Sequence, residues 1–172
     1  GHFVRGLALR NLARNSEAIA AFDDSLSHQP KHVDSLLAKS QLIIEGEKST
    51  AGQIAQADRD IETAFAAAAT ESRKGEAYYV RSLSSLRYHL ANTANAEKAE
   101  PALLKTQRDL LQAVTLVPAN GMYAKAAADL FDVEAKLPWS DDQRTPGTRT
   151  PHAARTPLMN RQQQQRCHGG AW

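Results

Sequence analysis

The chain lacks most of what would commit it to a reaction or a membrane. Its single cysteine, Cys167, cannot form an internal disulfide, so nothing requires an oxidising compartment, and a cytoplasmic setting is the expectation. No apolar run approaches the roughly 18 to 20 residues that cross a bilayer, and the N-terminus has no charged-then-apolar secretion pattern, so no membrane role is expected. Net charge is small: 21 lysines and arginines face 19 acids, for +2 overall. That is too little for a uniform field drawing in nucleic acid, which is not the expected partner. Even this excess is local, because from Pro138 onward five arginines stand against two aspartates. No Gly-x-Gly-x-x-Gly or Gly-x4-Gly-Lys string is present to cradle phosphate.

Alanine and leucine dominate the apolar set, while aromatics make up only 6%. Unbranched side chains lose little rotamer freedom in a helix, so the fold class read from composition is all-α. Phe3, Val4, Leu7, Leu9 and Leu12 form a first stripe, and after a polar break at Arg14 to Ser16 come Ala18, Ile19, Phe22 and Leu26. Pro30 stops the second helix. A third runs from about His32 to Glu45, before a loop over Gly46 to Gly52. The fourth, about Ile54 to Ala69, places Ala57, Ile61, Ala64, Phe65 and Ala68 on one face, with Asp58, Arg59, Asp60 and Glu62 read as a solvated charged face.

A fifth helix, about Glu76 to Leu90, is read on the set Tyr79, Leu83, Leu86 and Leu90. Ala91 to Glu100 is a loop or an extension of that helix, and Pro101 suits the first turn of a sixth running to Val117. Pro118 stops it, and a seventh spans Met122 to Leu137. The domain is therefore drawn as residues 1–137. Residues 138–172, with Arg-Thr-Pro at Arg144, Arg149 and Arg155 and glutamines at 162 to 165, are expected to be a disordered basic tail. Those strings also fit proline-directed phosphorylation, or an unselected extension. A start at Gly1, inside a helical pattern, is expected of a fragment or a processed product.

Internal repetition organises the helices. Gly6, Leu9, Ala18, Phe22, Ser25 and Pro30 fall at offsets that resemble the tetratricopeptide repeat, a 34-residue helix-turn-helix, and Ser16 to Phe22 is similar to that family's second helix. Later units are read as Leu36, Ser40, Ile43, Ala57, Ile61 and Ala64, then Tyr79, Leu83, Leu86, Leu110, Ala113 and Pro118, with longer loops. Ala124, Ala127, Ala128 and Phe131 occupy first-helix positions of a lone capping helix. The resemblance covers about residues 1 to 137. It implies a right-handed α-α superhelix of about three hairpins plus that cap. An ordinary helical bundle would show much the same periodicity.

No catalytic or metal constellation emerges, and no cofactor is expected. His28 and His32 are separated by Pro30, so they read as surface residues of a turn. Cys167 beside His168 has no second pair at zinc spacing, His89 reads as a helix-end residue, and the acid pairs Asp23 with Asp24 and Asp129 with Asp132 have no nucleophile at hand. What the resemblance does imply is a concave groove lined by first helices. Its matching positions are Arg10, Asn11, Gln41, Arg81, Ser84, Arg87, Tyr88, Lys125 and Asp129. Such a lining suits a protein or peptide partner, with an acidic or C-terminal peptide held by arginine forks, against the plain reading of solvated charges. Phe3, Leu7 and Ala38 stand where chaperone-tail-binding members carry lysine and asparagine, so that specialisation is not expected. A scaffold rather than an enzyme is the leading expectation. A docking segment of a larger enzyme and an RNA-binding helical repeat are the alternatives.

Overall fold

Capping side chains set four of the helix starts in the computed structural model, which describes residues 1–136, with side chains through 131. Among these residues there are seven α-helices and no strand: α1 His2–Asn11, α2 Asn15–His28, α3 Val33–Glu45, α4 Ala51–Ala67, α5 Glu71–Ala91, α6 Ala96–Leu116 and α7 Gly121–Lys136. Thr50 and Gln53 close a reciprocal capping box at the start of α4. Thr70 accepts from the Arg73 amide, so α5 begins five residues earlier than its apolar pattern shows. Asn95 does the same for Lys98, and α6 starts at Ala96 rather than at Pro101. Pro101 therefore sits in the second turn, where its missing N–H leaves only the exposed Glu97 carbonyl without a helical donor. Residues 137–172, including Cys167, His168 and the Arg-Thr-Pro strings, lie outside the described residues.

The turn between α1 and α2 is narrower than the polar break in the sequence. Asn15 and Ser16 already belong to α2, and the chain reverses over Leu12 to Arg14. The Arg14 N–H donates to the Leu9 carbonyl at 2.9 Å and the Ala13 N–H to the Arg10 carbonyl at 2.9 Å. That is a Schellman motif, with Ala13 at the left-handed position (φ 57°) where glycine is usual.

Consecutive helices pair as α1 with α2, α3 with α4 and α5 with α6, the last pair being the most extensively packed. Each hairpin then meets its neighbour in sequence: α2 on α3, α3 and α4 on α5, and α6 on α7. No extended contact joins α1 or α2 to α5, α6 or α7. A closed bundle would bring its first and last helices together, so the hairpins are arranged in series. Gly6 allows the closest approach in the first hairpin, because a β-carbon there would lie 2.4 Å from the Phe22 ring. That ring is fully buried in a cluster with Leu9, Ala18 and Ala21 and with Ala38 and Leu42 of α3. A second cluster joins Leu36, Leu37 and Ile44 of α3 to Ala57, Ile61 and Ala64 of α4 and to Ala77 and Val80 of α5.

Helix α5 departs most from the sequence expectation. Its buried residues are Gly75, Ala77, Val80, Ser82, Ser84 and Ser85, whereas Leu90 is exposed and Tyr79, Leu83 and Leu86 are only half-buried. Small residues win this face because α6 lies very close: a β-carbon at Gly75 would be 2.6 Å from a Val117 methyl. The Ser82 hydroxyl is satisfied by the Tyr79 carbonyl at 2.6 Å, which removes much of the penalty of burying it. In α7, similarly, Tyr123 and Ala127 are buried while Ala124, Ala128 and Phe131 are exposed.

Candidate functional site

The charged stripe of α4 is not simply solvated. Asp60 is buried, accepts from Gln56 Nε2 at 2.7 Å, and lies with Oδ2 3.2 Å from Lys39 Nζ, an ion-pair distance reached off the hydrogen-bonding direction. Lys39 also reaches Asp23 at 2.8 Å, tying α2, α3 and α4 together. Burial pulls the Lys39 pKa down, but the Asp23 hydrogen bond and the Asp60 charge more than offset it, so the net shift is upward. The sequence reading of this stripe as a solvated face is thus corrected at Asp60. Asp58 and Glu62 remain at the surface, but both are engaged by α5.

Arg81 is the hub of that engagement. Its Nε and Nη2 donate to the two oxygens of Asp109 at 2.8 Å each, and Nη1 donates to Glu62 at 3.3 Å. The guanidinium also lies 4.4 Å from the centre of the Phe65 ring. Asp109 on α6 is 1% exposed, so the bidentate fork joins α5 to α6 through a buried carboxylate, and the Glu62 contact adds α4. The Asp109 hydrogen bonds raise the pKa of Arg81 above its already high ordinary value. One turn along, the Ser84 hydroxyl donates to Asp58 at 2.6 Å.

Above these contacts α4 and α6 stand apart, making no extended contact with each other. They leave a cleft of about 590 Å³ floored by α5. Asp58 and Glu62 line the α4 side, Glu97, Lys98, Pro101, Ala102 and Lys105 the α6 side, and Arg81, Ser84, Ser85 and Tyr88 the floor. Tyr88 is 51% exposed and is the largest accessible apolar surface on the floor. The early start of α6 makes the second wall, since Glu97 and Lys98 belong to its first turn.

Of the nine sequence-expected groove residues, the cleft gathers Arg81, Ser84 and Tyr88. Arg87 points elsewhere: its Nη1 donates to the Ile44 carbonyl and, at 2.8 Å, to that of Gly46, satisfying the C-terminal end of α3. Arg81 and Arg87 therefore spend donors inside the fold. Gln41 donates to Glu45 at 2.6 Å on α3, Asn11 is exposed at the end of α1, and Lys125 pairs with Asp129 at 2.6 Å on the exposed face of α7.

Arg10 belongs to a second group, where the face of α5 away from the cleft meets α3 and α7. Tyr79 stacks on Tyr123 with ring centres 4.9 Å apart, and Arg73 pairs with Asp34 at 2.9 Å. Burial, then the Asp34 charge, pushes the Glu76 carboxyl above its ordinary range, while Arg10 and Arg73 pull it partly back. Burial, reinforced by Glu76 and Tyr79, pushes the Tyr123 phenol up to about 12. The sequence reading missed Glu76, Lys98, Lys105 and Asp109. A charged residue on the apolar side of α6, at Asp109, was the one available signal.

Among the described residues the candidate acids and bases take structural partners. The Asp23 and Asp129 carboxylates hold lysines, His32 caps α3 by accepting from the Ser35 amide at 3.2 Å, and His89 Nδ1 lies 2.9 Å from the Ala99 carbonyl. Among the described residues no group of three His, Cys, Asp or Glu could hold a metal ion, and no helix is long and apolar enough to cross a membrane. Compared with known proteins, the chain matches no family model, no curated protein and no solved structure.

Proposed function

We propose that the chain is a non-catalytic scaffold, a right-handed superhelix of tetratricopeptide-like hairpins that holds a protein or peptide partner. The observation that carries this reading is the serial packing of the hairpins, which keeps α4 and α6 apart over α5. Elements in series leave faces that a closed core would consume, and such faces are where repeat proteins take partners. The polar groups at the floor of the cleft support a structural rather than a chemical role. Arg81 is engaged by Asp109 and Glu62, and Ser84 by Asp58, so neither is poised as a nucleophile or base. Tyr88 offers the flat, half-exposed ring that suits an interface anchor.

The test is site-specific photo-crosslinking of the full chain in its source cell, with a benzophenone amino acid replacing Tyr88 or, as a control outside the cleft, the exposed Leu111. A discrete protein adduct at 88 and none at 111 is the expected result. No adduct at either position, or the same adducts at both, would overturn the reading.

A further inference from the structure

The cleft is electrically divided, and the division says what it takes. Its α4 wall is acidic, with Asp58 and Glu62 one helical turn apart; each spends one oxygen on α5, and a second oxygen of each is left for another donor. Its α6 wall carries Lys98 and Lys105, both exposed and with no ion-pair or hydrogen-bond partner for their ammonium groups among the described residues. Glu97 lies beside Lys98 on that wall, and the Arg81 charge is taken up by the buried Asp109. Tyr88 on the floor and Pro101 and Ala102 on the α6 side add uncharged, partly apolar surface.

Lys105 follows Lys98 by seven positions, two turns or about 10.5 Å along α6, which matches positions i and i+7 of a helix laid alongside. An occupant acidic throughout would face Asp58 and Glu62, and one basic throughout would face Lys98 and Lys105. We propose that the cleft receives an amphipathic helical segment of a partner protein, basic along the edge that meets α4 and acidic along the edge that meets α6, with small or apolar residues set over Tyr88 and Pro101. This rests on the scaffold reading and gives its partner a chemistry. Because the edges differ, the bound helix runs in one direction only.

The probes are three designed helical peptides of about 18 residues, five turns, sharing one alanine and leucine face. Their two edges are Lys/Glu, Glu/Glu or Lys/Lys, and binding to the full chain is followed by fluorescence anisotropy. The mixed-edge peptide is expected to bind about tenfold tighter than either uniform one, with the gap narrowing as salt rises. In the Lys98→Glu, Lys105→Glu variant the preference should move to the Lys/Lys peptide; both lysines are exposed and unpaired, so the fold is expected to survive. Tightest binding of the Glu/Glu peptide, which marks a purely acidic ligand, overturns the proposal. So does tightest binding of the Lys/Lys peptide, equal binding of all three, or binding of none. A discrete crosslink at position 88 alongside any of these results would retire the mixed-edge helix while leaving the scaffold reading intact.

Discussion

Two halves of the described chain are held together by different physics. Around α1 to α4 the large fully buried side chains are Phe22, Leu37 and Ile61, and although Ser35, Ser40 and Asp60 are buried there too, most of the stability follows the apolar area removed from water. Between α5 and α6 the buried residues include Ser82, Ser85, Thr106 and Asp109, closed by the Arg81 fork. A greasy core tolerates exchanges of similar volume. A polar seam is stable only while every group keeps its partner, because a buried carboxylate stranded without one is far more costly than a small void. The seam also floors the cleft, so the element that opens the candidate site is the one least forgiving of mutation.

That contrast gives the largest predicted effect. Arg81→Ala strands Asp109 and should lower unfolding free energy by about 3–5 kcal/mol in urea titrations, and Arg81→Lys should recover little because an ammonium cannot make the paired contacts. The comparison breaks if the double variant Arg81→Met, Asp109→Leu is as unstable as Arg81→Ala, since replacing both partners by apolar groups is expected to restore most of the loss. In the other half, Leu37→Ala should lose about 3 kcal/mol by the same measurement, while Leu37→Met loses about 1. Arg87 joins the two regions, and Arg87→Met removes its charged donor from the end of α3. It should cost about 2 kcal/mol and speed amide exchange over residues 44 to 48. Ala13→Gly relieves the left-handed backbone between α1 and α2 and should add about 1 kcal/mol, read as a rise in Tm.

The smallest effect is a pH dependence. Glu76 has a raised folded-state pKa, so the folded chain holds that proton more tightly than the unfolded one. Its contribution is most favourable below the ordinary value of 4.5 and is lost as pH climbs from there through the raised value. Glu76→Gln should therefore stabilise the fold modestly at pH 7 and flatten the acid side of the stability profile measured by thermal melts.

Much of the helix plan is legible in the amino-acid sequence. Pro30 and Pro118 end α2 and α6, and the small residues Gly6 and Ala18 sit in the contact between α1 and α2. The differences share one cause: the periodicity of apolar residues alone carries no sign of buried serines or capping side chains. In α5 that favoured Leu83, Leu86 and Leu90 over the serines that are actually buried. In α6 it passed over Asn95, whose cap starts the helix before Pro101 and supplies half of the second wall. Of the expected groove residues, Arg81 and Arg87 look alike in sequence, yet one reaches α6 and the other the end of α3.

By itself the amino-acid sequence determined that this chain is helical, and roughly where its helices stop, because capping, proline geometry and side-chain entropy act within a few residues. Tertiary structure alone decided which side of α5 is buried, that Arg81 finds Asp109 across 28 positions, and that α4 and α6 stay apart. Those outcomes turn on helix rotation, where one residue is about 100°, and on the close approach that serines permit and leucines do not.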